Sequence, residues 1–228
     1  MVDAAYILNK ILEWSEVWAL LIPLFVLSKY KKQPGFLKPV IIYLLLALLL
    51  DTAADIIMEI NSYYKQQHKS PPYSNNFLYN IHSITRFICF SSFFILLRQP
   101  FLVKAKKYLP ILSAVLVVIN FAFYENFFDR NHISSRLFAT EAGLLLFYCL
   151  QYYLFKLQED KSGPRQADFW IVTGLSIYVV FNFPFFLLYT TLLGKNGNLL
   201  VNLWNYHNIT YIIFCIFIAK AFYVARNK

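Results

Sequence analysis

The sequence predicts an all-α fold: a polytopic membrane protein built as a seven-transmembrane helix bundle, with its N-terminus outside and its C-terminus in the cytoplasm. Three observations predict this class, namely the composition, the number of apolar segments and the distribution of Lys and Arg between them. Of the 228 residues, 59% are hydrophobic and 14% are charged, and the mean hydropathy is +0.50. Because soluble domains carry about 25% charged residues, this composition is typical of a membrane protein.

The apolar segments give the number of predicted spans. A helix needs about 20 mostly apolar residues to cross the hydrocarbon layer of a bilayer. Seven segments meet or approach this length, and together they form one predicted transmembrane domain over residues 1–228. They lie at about 11–28, 39–60, 77–97, 108–124, 137–155, 169–193 and 199–222. No basic stretch of the kind that begins a signal peptide precedes the first segment, so we expect that segment to stay as a helix.

The Lys and Arg residues fall mainly in alternate loops, which predicts the orientation. The loops assigned to the cytoplasmic side, with the C-terminal tail, carry 14 of them: Lys29, Lys31, Lys32, Lys38, Arg98, Lys104, Lys106, Lys107, Lys156, Lys161, Arg165, Lys220, Arg226 and Lys228. The opposite side carries six: Lys10, Lys65, Lys69, Arg130, Arg136 and Lys195. Cytoplasmic loops are the basic ones in membrane proteins. The net charge of +9 is therefore assigned to membrane topology, and no nucleic-acid partner is predicted.

Several classes of activity are excluded by the short loops. None of the loops is long enough for a kinase, cyclase or nucleotide-binding domain, and no Gly-rich phosphate-binding motif is present. The three cysteines, Cys89, Cys149 and Cys215, each lie inside an apolar segment. Their number and spacing predict neither a disulfide framework nor a metal site, so we interpret them as small packing residues.

Charged residues inside the predicted spans are the strongest pointer to a functional site. A charge at the bilayer centre costs at least about 2.5–3.5 kcal/mol, so such residues face the bundle interior and need partners. In the second segment Asp51, Asp55 and Glu59 follow each other at four-residue intervals, which places them on one helix face. His82 and Arg86 are one turn apart in the third segment. Counting residues from the helix ends places Arg86 level with Asp51, which predicts an Asp51–Arg86 ion pair.

We expect these polar residues to surround one cavity that opens toward the outside. The predicted ligand-binding residues are Glu16, Asp51, Asp55, Glu59, His82, Arg86, Glu141, Tyr178, Asn182, Asn205 and His207. Isolated hydrogen bonds between helices are the alternative explanation for some of them.

The favoured functional hypothesis is a receptor-like sensor. A small molecule or a lipid would bind in the outward-facing polar pocket, and Pro184 would bend the sixth helix, through which a change of shape could pass inward. Because the cytoplasmic loops are short, the signal would go to a partner protein in the cytoplasm or the membrane.

A metal-dependent membrane hydrolase is the main alternative. Two histidines and several carboxylates can bind zinc, and the candidate ligands are His82, His207, Asp55 and Glu141. Seven-helix hydrolases of the ceramide type place two histidines four residues apart in the last helix, whereas Leu203 and Tyr211 stand four residues from His207.

Two lesser alternatives are a haem protein and an ion-coupled transporter. His82 and His207 lie at comparable predicted depth on different helices, as the two axial ligands of a haem would. Carriers keep charged residues inside the membrane, but no inverted repeat is visible in this sequence. The sequence names neither a cofactor nor a reaction, and it leaves open whether the chain is an enzyme.

The last two segments resemble a widespread family of bacterial seven-helix integral membrane proteins that have no assigned activity. The matching residues are Phe169-Trp170-Ile171, Gly174-Leu175-x-Ile177-Tyr178, Asn182 and Leu203-Trp204-x-x-His207-x-x-x-x-Ile212 with Phe214. Leu78-Tyr79 and Glu141 also fit. The third helix of that family usually has Glu before Phe, where this chain has Arg86-Phe87. The resemblance implies the seven-helix topology and a place in the bacterial inner (cytoplasmic) membrane, and it implies no activity.

Overall fold

The structure, a computed structural model, describes residues 10–67, 74–97, 99, 101–129, 132–158, 166–193 and 197–226. Within these ranges the chain is all-helical and contains no strand. Its helices are α1 (Ser15–Lys29), α2 (Lys38–Gln66), α3 (Asn76–Leu96), α4 (Val103–Phe123), α5 (Ser135–Gln158), α6 (Ala167–Leu193) and α7 (Gly197–Ala225), with a short 3-10 helix at Gly35–Leu37. Some of the residues used to predict orientation lie outside the described ranges: Lys69, Arg98, Arg130, Lys161, Arg165, Lys195 and Lys228.

Five of the described segments are long and apolar enough to cross a membrane, which makes this a helical membrane protein. They are Gly35–Gln66, Val103–Phe123, Ser135–Gln158, Ala167–Leu192 and Asn202–Ala225. The other two helices, α1 and α3, are not among them. Helix α1 has 15 residues, although residues 10–13 just before it are also helical. Helix α3 has 21 residues, but its interior positions include Asn80, His82 and Arg86.

Six of the described helices form a closed ring, and α4 packs outside it. Around the ring the order is α1, α2, α3, α5, α6 and α7, and α7 packs back against α1. Helix α4 lies on the outer side, against α3 and α5. This arrangement gives the ring an interior that is walled by helices on all sides, and the buried carboxylates and Arg86 lie there.

Aromatic side chains fill a large part of the ring interior. The ring of Phe90 lies 5.1 Å from that of Tyr43 and 5.5 Å from that of Phe214, and Tyr178 stacks on Phe214 at 5.6 Å. Aromatic pairs at these distances stabilise a fold beyond the contribution of their buried area, so these pairs hold the four helices against one another. This packing holds α2, α3, α6 and α7 together, and the hydroxyls of Tyr43 and Tyr178 join the polar residues described next.

Helices α6 and α7 approach closely at one glycine. A Cβ atom added to Gly174 would lie 2.5 Å from the Cβ of Phe217, which is closer than such atoms come in proteins. Small residues allow membrane helices to pack backbone against backbone. Gly174 therefore sets the spacing between the two helices that carry Asn182 and His207.

Candidate functional site

A buried polar network occupies the interior of the six-helix ring and surrounds a small cavity, called here the polar cavity. Its lining comes from α1, α3, α5, α6 and α7: Glu16, Tyr79, His82, Ser83, Arg86, Phe138, Phe186, Trp204, His207 and Tyr211. The cavity offers about 20 Å³ of space to water. A single water needs about 10–15 Å³ of such space, so the cavity holds on the order of one water in this conformation.

Arg86 and Glu141 form a buried ion pair across α3 and α5. The Arg86 Nε donates to Glu141 Oε1, and Nη2 donates to Oε2 at 2.8 Å. The Ser83 hydroxyl donates to the same Oε2 at 2.5 Å, and Arg86 Nη1 donates to the Tyr178 hydroxyl at 2.8 Å. Arg86 is 5% exposed and Glu141 is 4% exposed, so each charge is satisfied by the other inside the protein.

The predicted Asp51–Arg86 pair is therefore wrong. Both residues are buried, but α3 lies between α2 and α5 in the ring, and the long Arg86 side chain extends toward α5 and α6. Asp51 is left to His82, whose shorter side chain starts one turn earlier on α3.

Asp51, His82 and Tyr43 form a second buried group. His82 Nδ1 lies 2.7 Å from Asp51 Oδ1, and His82 Nε2 lies 3.3 Å from the Tyr43 hydroxyl. Tyr43 in turn lies 3.3 Å from the hydroxyl of Tyr211 on α7. Nδ1 is thus the ring nitrogen that faces the Asp51 carboxylate, and Nε2 is the one that faces Tyr43. This group links α2, α3 and α7 along one side of the polar cavity.

His207 stands at the centre of a third group. Its Nδ1 lies 2.5 Å from Asn182 Oδ1, and its Nε2 lies 3.1 Å from Glu16 Oε1. The Asn182 amide nitrogen donates to the Tyr178 carbonyl and to Thr210 Oγ1, which fixes the amide orientation and turns the oxygen toward His207. Both ring nitrogens of His207 thus face side-chain oxygen atoms, one of Asn182 and one of Glu16.

Three other predicted residues lie away from the polar cavity or at its edge. Asp55 is 2% exposed, one turn from Asp51, and its Oδ2 has no hydrogen-bond partner among the described residues. Glu59 is far more exposed and accepts a hydrogen bond of 2.7 Å from Lys10 Nζ. Asn205 is half-buried and does not line the polar cavity. The remaining predicted residues line the polar cavity or contact a side chain that does.

Ser83 and Tyr43 are among the members of the network that were not predicted from the sequence. Ser83 lies three residues before Arg86, and Tyr43 lies eight residues before Asp51, so each shares a helix face with a charged residue that was identified. Helical spacing from the buried charges was the signal that could have found them. Serine and tyrosine are common in apolar segments, so nothing distinguished these two positions from their neighbours in the sequence.

The four residues named for a metal do not form one donor set. Both Glu141 oxygens already accept hydrogen bonds, and His82 and His207 have separate partners. In the part of the chain that the structure describes, no group of three or more His, Cys, Asp or Glu residues is arranged to hold a metal ion. The three cysteines are buried, unlinked and surrounded by apolar side chains.

Comparisons with models of protein families, with curated proteins and with solved structures found no match for this chain.

Proposed function

We propose that the chain is a seven-helix sensor that binds a small cationic ligand, of the size and charge of a protonated amine, at the polar cavity. The observation that carries this proposal is the composition of the cavity wall. The wall contains the buried Glu16 carboxylate next to His207, together with aromatic rings from α5, α6 and α7. We place the protein in the bacterial inner membrane, with the N-terminus outside and a signalling partner on the cytoplasmic side.

The charge balance of the ring interior supports a cation. Four carboxyl groups are buried there, Glu16, Asp51, Asp55 and Glu141, against one permanent cation, Arg86. Glu141 is balanced by Arg86, which leaves three acidic groups with two histidines among the described residues. An unbalanced charge in a low-dielectric interior is costly, so protons or a bound cation must compensate the excess. An anionic ligand would increase this cost.

The aromatic wall supports the same class of ligand. Trp204 and Phe186 have ring centroids 5.3 and 5.6 Å from that of His207, and Phe138 stacks on Phe186 at 4.8 Å. The faces of aromatic rings attract ammonium groups, by about 0.5–2 kcal/mol for each favourable contact. Rings beside a carboxylate therefore recognise an organic cation better than a metal ion or an anion.

The size of the polar cavity implies that binding changes the conformation. Since it holds on the order of one water, an amine can enter only if part of the aromatic wall moves outward. The binding-competent conformation then differs from this one, and a ligand shifts the balance between the two, as a sensor requires. His207 would transmit the change, because it joins Glu16 to Asn182, two residues before Pro184 in α6.

The seven-span topology is supported by the environment of α1 and α3. Residues 10–13 continue α1 at its N-terminal end, giving a nearly continuous helical segment of a length close to the 20 residues that a span needs. In α3 the charged and polar residues His82, Ser83 and Arg86 face the ring interior, so they do not prevent the helix from crossing. With both helices counted, the chain crosses seven times and its ends lie on opposite sides.

Thermal unfolding of the purified protein in detergent tests this proposal. Methylammonium chloride should raise the unfolding temperature of the wild type, and sodium acetate at equal ionic strength should not. The Glu16→Gln variant should lose the stabilisation. Its matched control is Glu13→Gln, which removes an exposed carboxylate three residues earlier in the chain. This control variant should keep the stabilisation by methylammonium. Equal responses of the two variants, or no response of the wild type, would contradict the proposal.

A further inference from the structure

A second cavity, called here the apolar pocket, lies between α3, α4 and α5 and is separate from the polar cavity. Its volume is about 270 Å³. Its walls are largely apolar, and its lining residues are Ser83, Ile84, Phe87, Ile88, Pro110, Ser113, Ala114, Val117, Val118, Leu137, Thr140 and Glu141. The pocket exists because α4 leans on the outside of the six-helix ring, so that it touches α3 and α5 without filling the groove between them.

The chemistry of the apolar pocket points to a hydrocarbon occupant. Cavities lined by apolar side chains stay dry, and one of about 150 Å³ is large enough to bind benzene. The apolar pocket is larger than that, and an empty space of this size would forfeit the packing contacts of every side chain around it. Water is therefore a poor occupant, whereas an apolar chain would restore those contacts.

The position of the apolar pocket identifies the source of that chain. The rim residues Ile88 and Val118 are 58% and 67% exposed. Val118 lies on α4, a helix long and apolar enough to span a membrane, so this rim faces the lipid. A bilayer surrounds the mouth of the pocket with acyl chains at high concentration. We propose that the acyl chain of a bilayer phospholipid enters the apolar pocket from the side and occupies it.

An occupant of the apolar pocket would also touch the buried ion pair. Ser83 and Glu141 line the apolar pocket; Glu141 is the ion-pair partner of Arg86, and the Ser83 hydroxyl donates a hydrogen bond to Glu141. Phe87, 4% exposed, forms part of the same wall. An acyl chain would thus keep water away from the Ser83–Glu141 contact and hold α4 and α5 in place. This inference is independent of the proposed cationic ligand and would stand if that ligand were disproved.

Photolabelling with a phospholipid that carries a diazirine near the end of one acyl chain tests the proposal. The protein is reconstituted into nanodiscs that contain this lipid, irradiated and mapped by mass spectrometry. We expect labels on Ile84 and Phe87 inside the apolar pocket, as well as on exposed residues such as Ile111 at the outer surface of α4. Labelling of Ile111 reports ordinary contact with surrounding lipid and serves as the internal reference.

The Ala114→Phe variant should block the pocket, because Ala114 lines it. Labelling of Ile84 and Phe87 should fall to background while that of Ile111 persists. The matched control is Val115→Phe, which adds an aromatic ring at the next position, exposed and outside the pocket, and should label as the wild type does. Wild-type labels confined to exposed residues, or Phe87 labelling that survives in Ala114→Phe, would overturn the proposal.

Discussion

Arg86 and Glu141 form a two-point ion pair between α3 and α5, in which both nitrogens of one edge of the guanidinium donate to the two carboxylate oxygens. Such two-point pairs fix orientation as well as charge. The pair stands at the boundary between the polar cavity, which Arg86 lines, and the apolar pocket, which Glu141 lines. Ser83, which donates to Glu141, lines both spaces.

Replacing one residue of this pair should lower the free energy of unfolding more than replacing both. Arg86→Ala leaves Glu141 as an uncompensated buried charge, for which a loss of about 3–5 kcal/mol is expected. Adding Glu141→Gln to Arg86→Ala should recover part of that loss. Equilibrium unfolding of the two single variants and the double variant measures the coupling. The control is Arg86→Ala combined with Asp51→Asn, because Arg86 and Asp51 have different partners. We expect a smaller coupling energy between these two changes than between Arg86→Ala and Glu141→Gln. A larger coupling energy in the control would contradict the assigned pairing.

The Tyr178 hydroxyl should contribute more than an ordinary tyrosine hydroxyl. It accepts a hydrogen bond from the buried Arg86, and hydrogen bonds to charged groups contribute roughly 1.5–3 kcal/mol. Tyr153 offers a matched comparison in the same bundle, since its hydroxyl contacts the uncharged hydroxyls of Thr173 and Ser176. Chemical unfolding should show a larger decrease in the free energy of unfolding for Tyr178→Phe than for Tyr153→Phe. Equal losses would mean that Arg86 does not depend on this contact.

The close approach of α6 and α7 at Gly174 should make that position intolerant of a methyl group. Gly174→Ala places a Cβ 2.5 Å from that of Phe217, which belongs to a rigid part of its side chain, and overpacking of this kind costs about 1–3 kcal/mol. At Gly143 the added Cβ would meet the ring of Phe183 at 3.2 Å, and a ring can turn aside. The unfolding temperature of Gly174→Ala should therefore be well below that of Gly143→Ala. The opposite order would show that the α6–α7 spacing is adjustable.

The proposed orientation predicts which loops react with a membrane-impermeant thiol reagent on intact cells. In a variant whose Cys89, Cys149 and Cys215 are replaced by Ala, a cysteine at Glu125 should react, because the turn after α4 lies outside. A cysteine at Lys31, in the turn after α1, should react only after the cells are opened. The reverse pattern would invert the topology, and reaction of both in intact cells would break the alternation of the loops.

The fold was largely predictable because the hydrocarbon layer imposes a strong pattern on sequence. Each predicted segment coincides with an observed helix, but α2 continues to Gln66 where the apolar segment ended near 60, and α4 begins at Val103 instead of near 108. Hydropathy marks where a helix would lie in lipid, whereas hydrogen bonding of the backbone continues the helix beyond it. The number of helices was therefore easier to predict than their ends.

The burial of most of the candidate residues was predictable, and their pairing was not. Helical spacing and the cost of placing a charge in lipid indicate which side chains point inward. For this reason Glu16, His82, Arg86 and His207 were expected in the interior of the bundle. The choice between Asp51 and Glu141 as the partner of Arg86 depends on which helices are neighbours in the ring. The sequence does not encode that order locally, since the loops allow more than one arrangement.

The central claim, that the polar cavity binds an organic cation, is tested most directly by the fluorescence of Trp204. This side chain lines the polar cavity beside His207, so a ligand that moves the aromatic wall must change its surroundings. Titration of the protein in nanodiscs with methylammonium should give a saturable change in emission, which Trp204→Phe and Glu16→Gln each abolish and Glu13→Gln preserves. A titration without saturation, or one that Glu16→Gln leaves intact, would contradict the account.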